Sequence, residues 1–211
     1  MYKNLKNKVA TPVIRRLPVY YRKLSDCVEQ GRDRISSQEL SELCGFSASQ
    51  IRQDLNHFGG FGQQGYGYNT ALLRDEIAQI LGIHNRYKAV VVGAGRLGTA
   101  IFEYEGIRKS GFDIVALFDN DPKKIGMKVE HVTIEPADEL LHYIDHHQVD
   151  VAIITVPKTA AEEIIRRLDA HGIRGIWNFA PVDVNVTHSI VENTRINDSI
   201  LKLSYYLQHG R

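Results

Sequence analysis

The sequence predicts an α/β chain in two parts, a small helical head followed by a parallel, doubly wound sheet. Three observations carry that prediction. Ala89, Val90, Val91 and Val92 form an unbroken apolar run, rich in the β-branched residues that suit a strand buried on both faces. Gly93, Gly95 and Gly98 follow it directly as G-x-G-x-x-G, and strands then alternate with helices almost to the end of the chain. Before residue 87 the apolar residues fall only at three- and four-residue spacing, broken by one glycine-rich stretch.

In the head, residues 12–30 place Ile14, Leu17, Tyr20 or Tyr21, Leu24 and Val28 on one helical stripe, and Pro18 inside it predicts a kink or a late start. A turn follows at Gly31. Ser36 and Glu39 then have the spacing of a capping box, Leu40 and Leu43 continue an apolar face, and Gly45 stops the helix. Ser47 and Gln50 repeat that spacing and open a third helix. There Ala48, Ile51, Leu55 and Phe58 fall on one side, and Ser49, Arg52, Gln53 and Asn56 on the other.

Two short helices joined by a tight turn, the second displaying Ser, Arg, Gln and Asn, have the layout of a helix-turn-helix whose second helix enters a major groove. Arg reads guanine by paired hydrogen bonds, and Asn or Gln reads adenine. A small helical bundle with a hydrophilic surface is the alternative this segment leaves open. FGGFGQQGYGY alternates aromatic residues with glycines around Gln63, Gln64 and Gly65, which reads as the hairpin of a winged helix. A further helix carries Leu72, Leu73, Ile77, Ile80 and Leu81 and leads to the boundary at residue 86. The candidate DNA contacts of this winged-helix domain, residues 1–86, are Arg15, Arg16, Ser47, Ser49, Gln50, Arg52, Gln53, Asn56, Gln63, Gln64 and Tyr66.

Charge supports a polyanionic partner for the head. The formal net charge is only +1, yet residues 1–86 carry 12 Lys/Arg against 8 Asp/Glu, and the first 24 residues hold seven basic side chains and no acid. Cys27 and Cys44 are too few for a disulfide framework or a zinc site. No stretch reads as a signal peptide or a membrane span, so a cytoplasmic protein without metal is expected.

In the second domain, residues 87–194, the first glycine of the motif makes the tight turn, the second admits a pyrophosphate, and the third allows close helix packing. The helix from Arg96 onward points its amino end at that phosphate. Asp119 ends the next strand 21 residues past Gly98, close to the separation expected for the acid that holds an adenosine ribose. That carboxylate favours NAD and NADH over their 2′-phosphorylated forms, a preference that Lys123 and Lys124 weaken. The candidate cofactor residues are therefore Gly93, Ala94, Gly95, Arg96, Leu97, Gly98 and Asp119, in a Rossmann fold.

A strand near His131 to Ile134, a helix bearing His142, His146 and His147, a strand ending at Thr155, Val156 and Pro157, a helix, and a strand ending near Ala180 and Pro181 complete the alternation. The histidines have metal-compatible helical spacing but lack a further ligand, so they read as a hydrated helix face. The apolar loops at Thr155–Pro157 and at Phe179, Ala180 and Pro181 lie at strand carboxyl ends, where ligands bind, and should prefer the neutral reduced nicotinamide. Lys158 is the one residue there placed for acid chemistry, and it reads better as a solvated helix start. Residues 195–211 carry Ile196, Ile200, Leu203 and Leu207 at four-, three- and four-residue spacing, the seam of a helix that docks in cis or crosses to a second subunit; dimeric winged helices on palindromic DNA favour the crossing.

Along nearly its whole length the chain resembles the Rex family of redox-sensing transcriptional repressors. RRLPVYYR, SASQIRQDLNHFGGFGQQGYGYN, VVVGAGRLGTAIFEY and LSYYL carry the resemblance. It implies a homodimer with exchanged terminal helices, which binds operator DNA when NAD dominates and leaves it when NADH binds, without catalytic turnover. It also implies that Tyr104 lies by the nicotinamide and that Asp198 reaches toward that tyrosine or toward Arg16 according to redox state. Many members carry basic residues at the positions of Gln53, Gln63 and Gln64, so nonspecific DNA affinity should be lower here. Two other readings share the sheet: an NAD-dependent dehydrogenase with an accessory head, for which no acid/base pair or substrate domain is apparent, and a CoA-type nucleotide binder, which leaves the basic head unexplained.

Overall fold

The computed structural model describes residues 9–59 and 66–210, in two compact units that divide between His84 and Asn85, two residues before the expected boundary. The first unit comprises α1 (Thr11–Glu29), β1 (Arg34–Ile35), α2 (Ser37–Cys44), α3 (Ala48–Asn56), β2 (Tyr68–Asn69) and α4 (Thr70–Leu81). α1 buries Val13, Leu17, Tyr20, Leu24 and Cys27, so its stripe is shifted from the one expected at both ends: Ile14 is 49% exposed. It also runs through Pro18 without a break. Pro18 sits on the exposed side, where water can take the carbonyl that loses its amide partner.

The caps are as the sequence requires. Glu39 N donates to Ser36 Oγ at 3.1 Å and Ser36 N to Glu39 Oε2 at 2.7 Å, closing a capping box, and Gly45 ends α2 with φ +74°. Ser47 caps α3 by accepting from Gln50 N, and Asn69 caps α4 by accepting from Leu72 N. Leu17, Tyr20 and Leu24 of α1 form one core with Leu40, Ile51, Leu55, Leu73 and Ile77. Each fully buried leucine or isoleucine there contributes about 1.5–3 kcal/mol. β2 pairs antiparallel with β1, a strand too short to show any periodicity in the sequence. The returning arm of the glycine-rich segment is thus held by the residues just before α2. The tip, Gln63 and Gln64 included, lies outside the described residues.

The second unit is built on a seven-stranded sheet. In chain order it contains β3 (Tyr87–Val92), α5 (Arg96–Glu103), α6 (Glu105–Lys109), β4 (Phe112–Asp119), β5 (Lys128–Val129), β6 (Val132–Pro136) and α7 (Leu140–His146). β7 (Val151–Ile154), α8 (Lys158–His171), β8 (Gly175–Asn178), β9 (Ile190–Asn193) and α9 (Ile196–His209) complete it. The order across the sheet is β5-β6-β4-β3-β7-β8-β9, parallel except for the β5 edge. Leaving β5 aside, this is the 3-2-1-4-5-6 order of a dinucleotide-binding sheet, with its switch point between β3 and β7.

β9 is an addition to the expected strands. No helix connects it to β8; instead the buried Asp169 carboxylate of α8 accepts from the backbone N–H groups of Thr187, His188 and Ser189 and so ties the connection down. Those bonds, Thr187 first, outweigh burial and hold the Asp169 carboxyl far below the ordinary carboxylate range. On one sheet face Val90, Val92, Phe118, Ala152 and Ile154 pack with Leu140 of α7 and with Ile165 and Leu168 of α8. On the other, Ala89, Val91, Leu117 and Ile153 pack with Ile101 of α5, and among the described residues the face opens beyond Ile107 of α6 toward β8 and β9. That stretch is an open apolar groove of about 360 Å³ lined by Val151, Ile153, Trp177 and Ile190. No residue of α9 is buried, and Ile196, Ile200, Leu203 and Leu207 are all more than half exposed.

Candidate functional site

The cofactor candidates converge at the switch point. Gly93 turns with φ +103°, and a Cβ there would lie 2.9 Å from Val156 Cγ1; one at Gly98 would lie 2.1 Å from Gly93 O. Both positions exclude any side chain for reasons internal to the fold. A Cβ at Gly95 meets nothing within 4 Å, so what the missing side chain keeps open is the mouth of the pocket. Gly93, Gly95, Asp119, Thr155, Val156 and Pro157 line one pocket of about 420 Å³. Gly95 caps α5, whose first residue, Arg96, is exposed beside that opening with Leu97, while Ala94 and Gly98 are buried beneath it.

Asp119 is 6% exposed. Its Oδ1 accepts from Asp121 N at 2.9 Å and its Oδ2 from Lys124 Nζ at 2.9 Å. Burial opposes its ionisation, but Lys124 and the backbone bonds prevail and hold it below the ordinary carboxylate value. A buried carboxylate kept charged at the end of β4, beside glycines that leave a phosphate-sized opening, fits the ribose and pyrophosphate of a dinucleotide. Asn120, Asp121 and Lys124 join the lining; the sequence marked Lys124 only as weakening the NAD preference, and the fold shows that it is paired with Asp119.

Thr155 Oγ1 is 2.7 Å from Gly93 O and 3.1 Å from Val92 O, so its hydroxyl joins two loops rather than facing the opening. Ala180 and Pro181 do not line this pocket. Ala180 is buried, with its N–H on Asn178 Oδ1 and its carbonyl held by Arg195, while Pro181 is exposed. Tyr104, between α5 and α6, is 65% exposed, packs its ring over Gly106 and lines a separate cleft with Phe102, Ile107 and His131. Asp198 is exposed in the first turn of α9, and among the described residues no bond joins it to Tyr104. Lys158 opens α8 in solvent. His142, His146 and His147 are exposed, with His146 and His147 bonded to carbonyls one turn back, and no metal-sized group of acids, cysteines and histidines exists among the described residues.

In the first unit, Ser47, Ser49, Arg52, Gln53 and Asn56 are exposed along one side of α3, with Arg15 exposed on α1 and Tyr66 70% exposed beside β2. Arg52 Nη1 donates to Ser37 Oγ at 2.8 Å, and Arg34 Nη1 to Tyr66 O at 3.1 Å. Ser37 and Arg34 thus orient Arg52 and the returning arm, and their residue types gave no signal of it.

Arg16 and Gln50 are placed differently from the expectation. Asp54, 1% exposed on the inner side of α3, accepts from Arg16 Nε at 2.6 Å, Arg16 Nη2 at 2.8 Å, Tyr20 Oη at 2.7 Å and Gln50 Nε2 at 3.0 Å. Both side chains are turned toward Asp54: Arg16, with Tyr20, joins α1 to α3, and Gln50 bonds one turn along α3 itself. Burial opposes the Asp54 charge, and the bonds from Arg16, Tyr20 and Gln50 outweigh it, holding its pKa below the ordinary value. Burial, with the bond to Asp54, pushes the Tyr20 hydroxyl upward.

A dinucleotide-type pocket on one unit and an exposed helix-turn-helix face on the other, in a single chain, define a ligand-responsive DNA-binding regulator. Residues 8–56 match the family described as "Putative DNA-binding protein N-terminus", and residues 84–182 the one described as "CoA binding domain". The redox-sensing transcriptional repressor Rex of Clostridioides difficile is 50% identical over 96% of this chain and 97% of its own; that of Clostridium novyi is 45% identical over 96% and 97%. RSP, a Rex-family repressor solved with β-NAD+ and operator DNA, superposes with a TM-score of 0.90 at 43% identity, over 96% of this chain and 94% of that one. Solved with β-NADH it gives 0.89 at 40%, over 96% of each chain. The chain belongs to the Rex family of redox-sensing transcriptional repressors, regulators rather than enzymes.

Proposed function

We propose that this chain binds palindromic operator DNA as a homodimer in the cytoplasm and releases it when NADH replaces NAD. The carrying observation is the pocket that unites Gly93, Gly95 and buried Asp119 on the same chain as the exposed α3 face. The bound nucleotide supplies the redox signal and no chemistry is done on it. Asp119 accepts from the adenosine ribose, Gly95 leaves room for the pyrophosphate, and the α5 amino end favours its charge. The apolar loops after β7 and β8 suit the neutral reduced ring, because an oxidised ring there would bury a cation without a partner. Ser49, Arg52, Gln53 and Asn56 read base edges, while Arg15 and Ser47 hold phosphates and Tyr66 with the Gln63–Gln64 tip follows the adjacent groove.

The homodimer reading is supported by two complementary surfaces: the apolar groove toward β8 and β9 and the α9 stripe that finds no cover among the described residues of its own chain. Laying α9 of a second copy in that groove covers both. The test is selection of bound duplexes from a random-sequence pool with NAD present, followed by addition of NADH. A palindromic site that is enriched and then released bears the proposal out; enrichment that NADH leaves untouched refutes the redox half of it.

A further inference from the structure

α9 is a lever fixed at one end. Its 14 residues span roughly 20 Å, none is buried, and among the described residues its side chains make no hydrogen bond or ion pair outside the helix. Within its own chain its direction is therefore set at its root, residues 193–195. Two of the root's bonds go to β8 itself: Asn193 Oδ1 accepts from Asn178 Nδ2 at 2.8 Å, and Thr194 Oγ1 from Trp177 Nε1 at 2.8 Å. The third residue is different. Arg195, which caps α9, gives its guanidinium to the loop beyond β8: Nη1 donates to Ala180 O at 2.6 Å, and Nη2 to Val182 O at 2.5 Å and Asp183 Oδ1 at 2.8 Å.

We infer that Arg195 is the positioning residue that transmits cofactor state to the terminal helix. Resting on the reading that the Ala180–Pro181 loop faces the nicotinamide, a change of ring state shifts that loop, and the planar guanidinium, bonded to two loop carbonyls at once, turns with it. A tilt of roughly 10° at the root displaces the far end of the helix by about 3.5 Å. That is enough to change how an apolar seam seats in a partner's groove. Lysine cannot replace the arginine here, since a single ammonium does not present the rigid fork that spans two carbonyls and a carboxylate.

The test compares wild type, Arg195→Met and Arg195→Lys as full chains, using the duplex selected by the wild type. Three quantities are read: NADH affinity without DNA, operator affinity with NAD, and the ratio of operator affinities with NAD and with NADH. Arg195→Met is expected to keep the first two within about threefold while the ratio falls at least about tenfold, because coupling is lost and binding is not. Arg195→Lys should fail to restore the ratio, and it carries the test alone where Arg195→Met does not fold. A variant that switches like wild type, or one whose ratio falls only as far as its NADH affinity does, overturns the inference. A wild-type protein that NADH does not release from DNA fails before any variant is made, and then it is the redox-repressor reading that falls.

Discussion

Asp54 shows how a single residue reorganises what the sequence suggests. Residue type made Arg16 and Gln50 DNA contacts, and both proved to be its partners. A signal existed, because Asp54 lies between Ile51 and Leu55 on the buried side of α3, where an unpaired carboxylate is too costly to leave without partners. Replacing Asp54 with Asn should cost about 3 kcal/mol, read as a lowered denaturant midpoint, because the Arg16 charge loses its counter-ion inside the fold. The pH dependence follows from the same pair. Asp54 is held below its unfolded value, so its contribution is full above the ordinary carboxylate pKa and fades as pH falls through the folded one. Wild type should therefore lose stability on acidification more steeply than Asp54→Asn, and parallel acid curves would contradict that. Gly98→Ala places a Cβ 2.1 Å from Gly93 O, so NADH binding should fall beyond detection in a calorimetric titration.

At the scale of elements, the long periodic ones were legible and the short ones were not. α2 and α3 announced themselves through caps, α4 through its apolar spacing, and β3 through its apolar run followed by glycines. β1, β5 and β9 were missed: two residues carry no readable pattern, and IVEN lacks the apolar run that reveals the equally short β7; β9 is held by the loop bonds to Asp169. The α1 stripe was misplaced by one residue at each end because Val and Ile, or Cys and Val, satisfy the same spacing. Within the candidate cofactor site the glycines and Asp119 could be read directly, whereas the pairing of Lys124 with Asp119 depends on a loop whose path no pattern encodes. The terminal helix yields a prediction of its own. Leu203→Glu on the α9 seam should convert dimer to monomer in sedimentation velocity while leaving thermal unfolding of the sheet unit nearly unchanged, since no α9 residue contributes to a core.

For the whole molecule, redox sensing reduces to linkage between two equilibria on one chain. A tenfold change in operator occupancy requires about 1.4 kcal/mol of differential binding, and complete switching roughly 5.5. Those energies are modest, so a nucleotide that binds the two states with different affinity is enough to drive the switch. The most direct measurement is operator affinity as the NADH to NAD ratio is varied at constant total nucleotide, for wild type and for Asp119→Ala. Wild-type affinity should fall as NADH rises, and Asp119→Ala should keep operator binding while losing that response. Equal NADH sensitivity in the two proteins would show that the pocket at the carboxyl end of β4 is not the sensor.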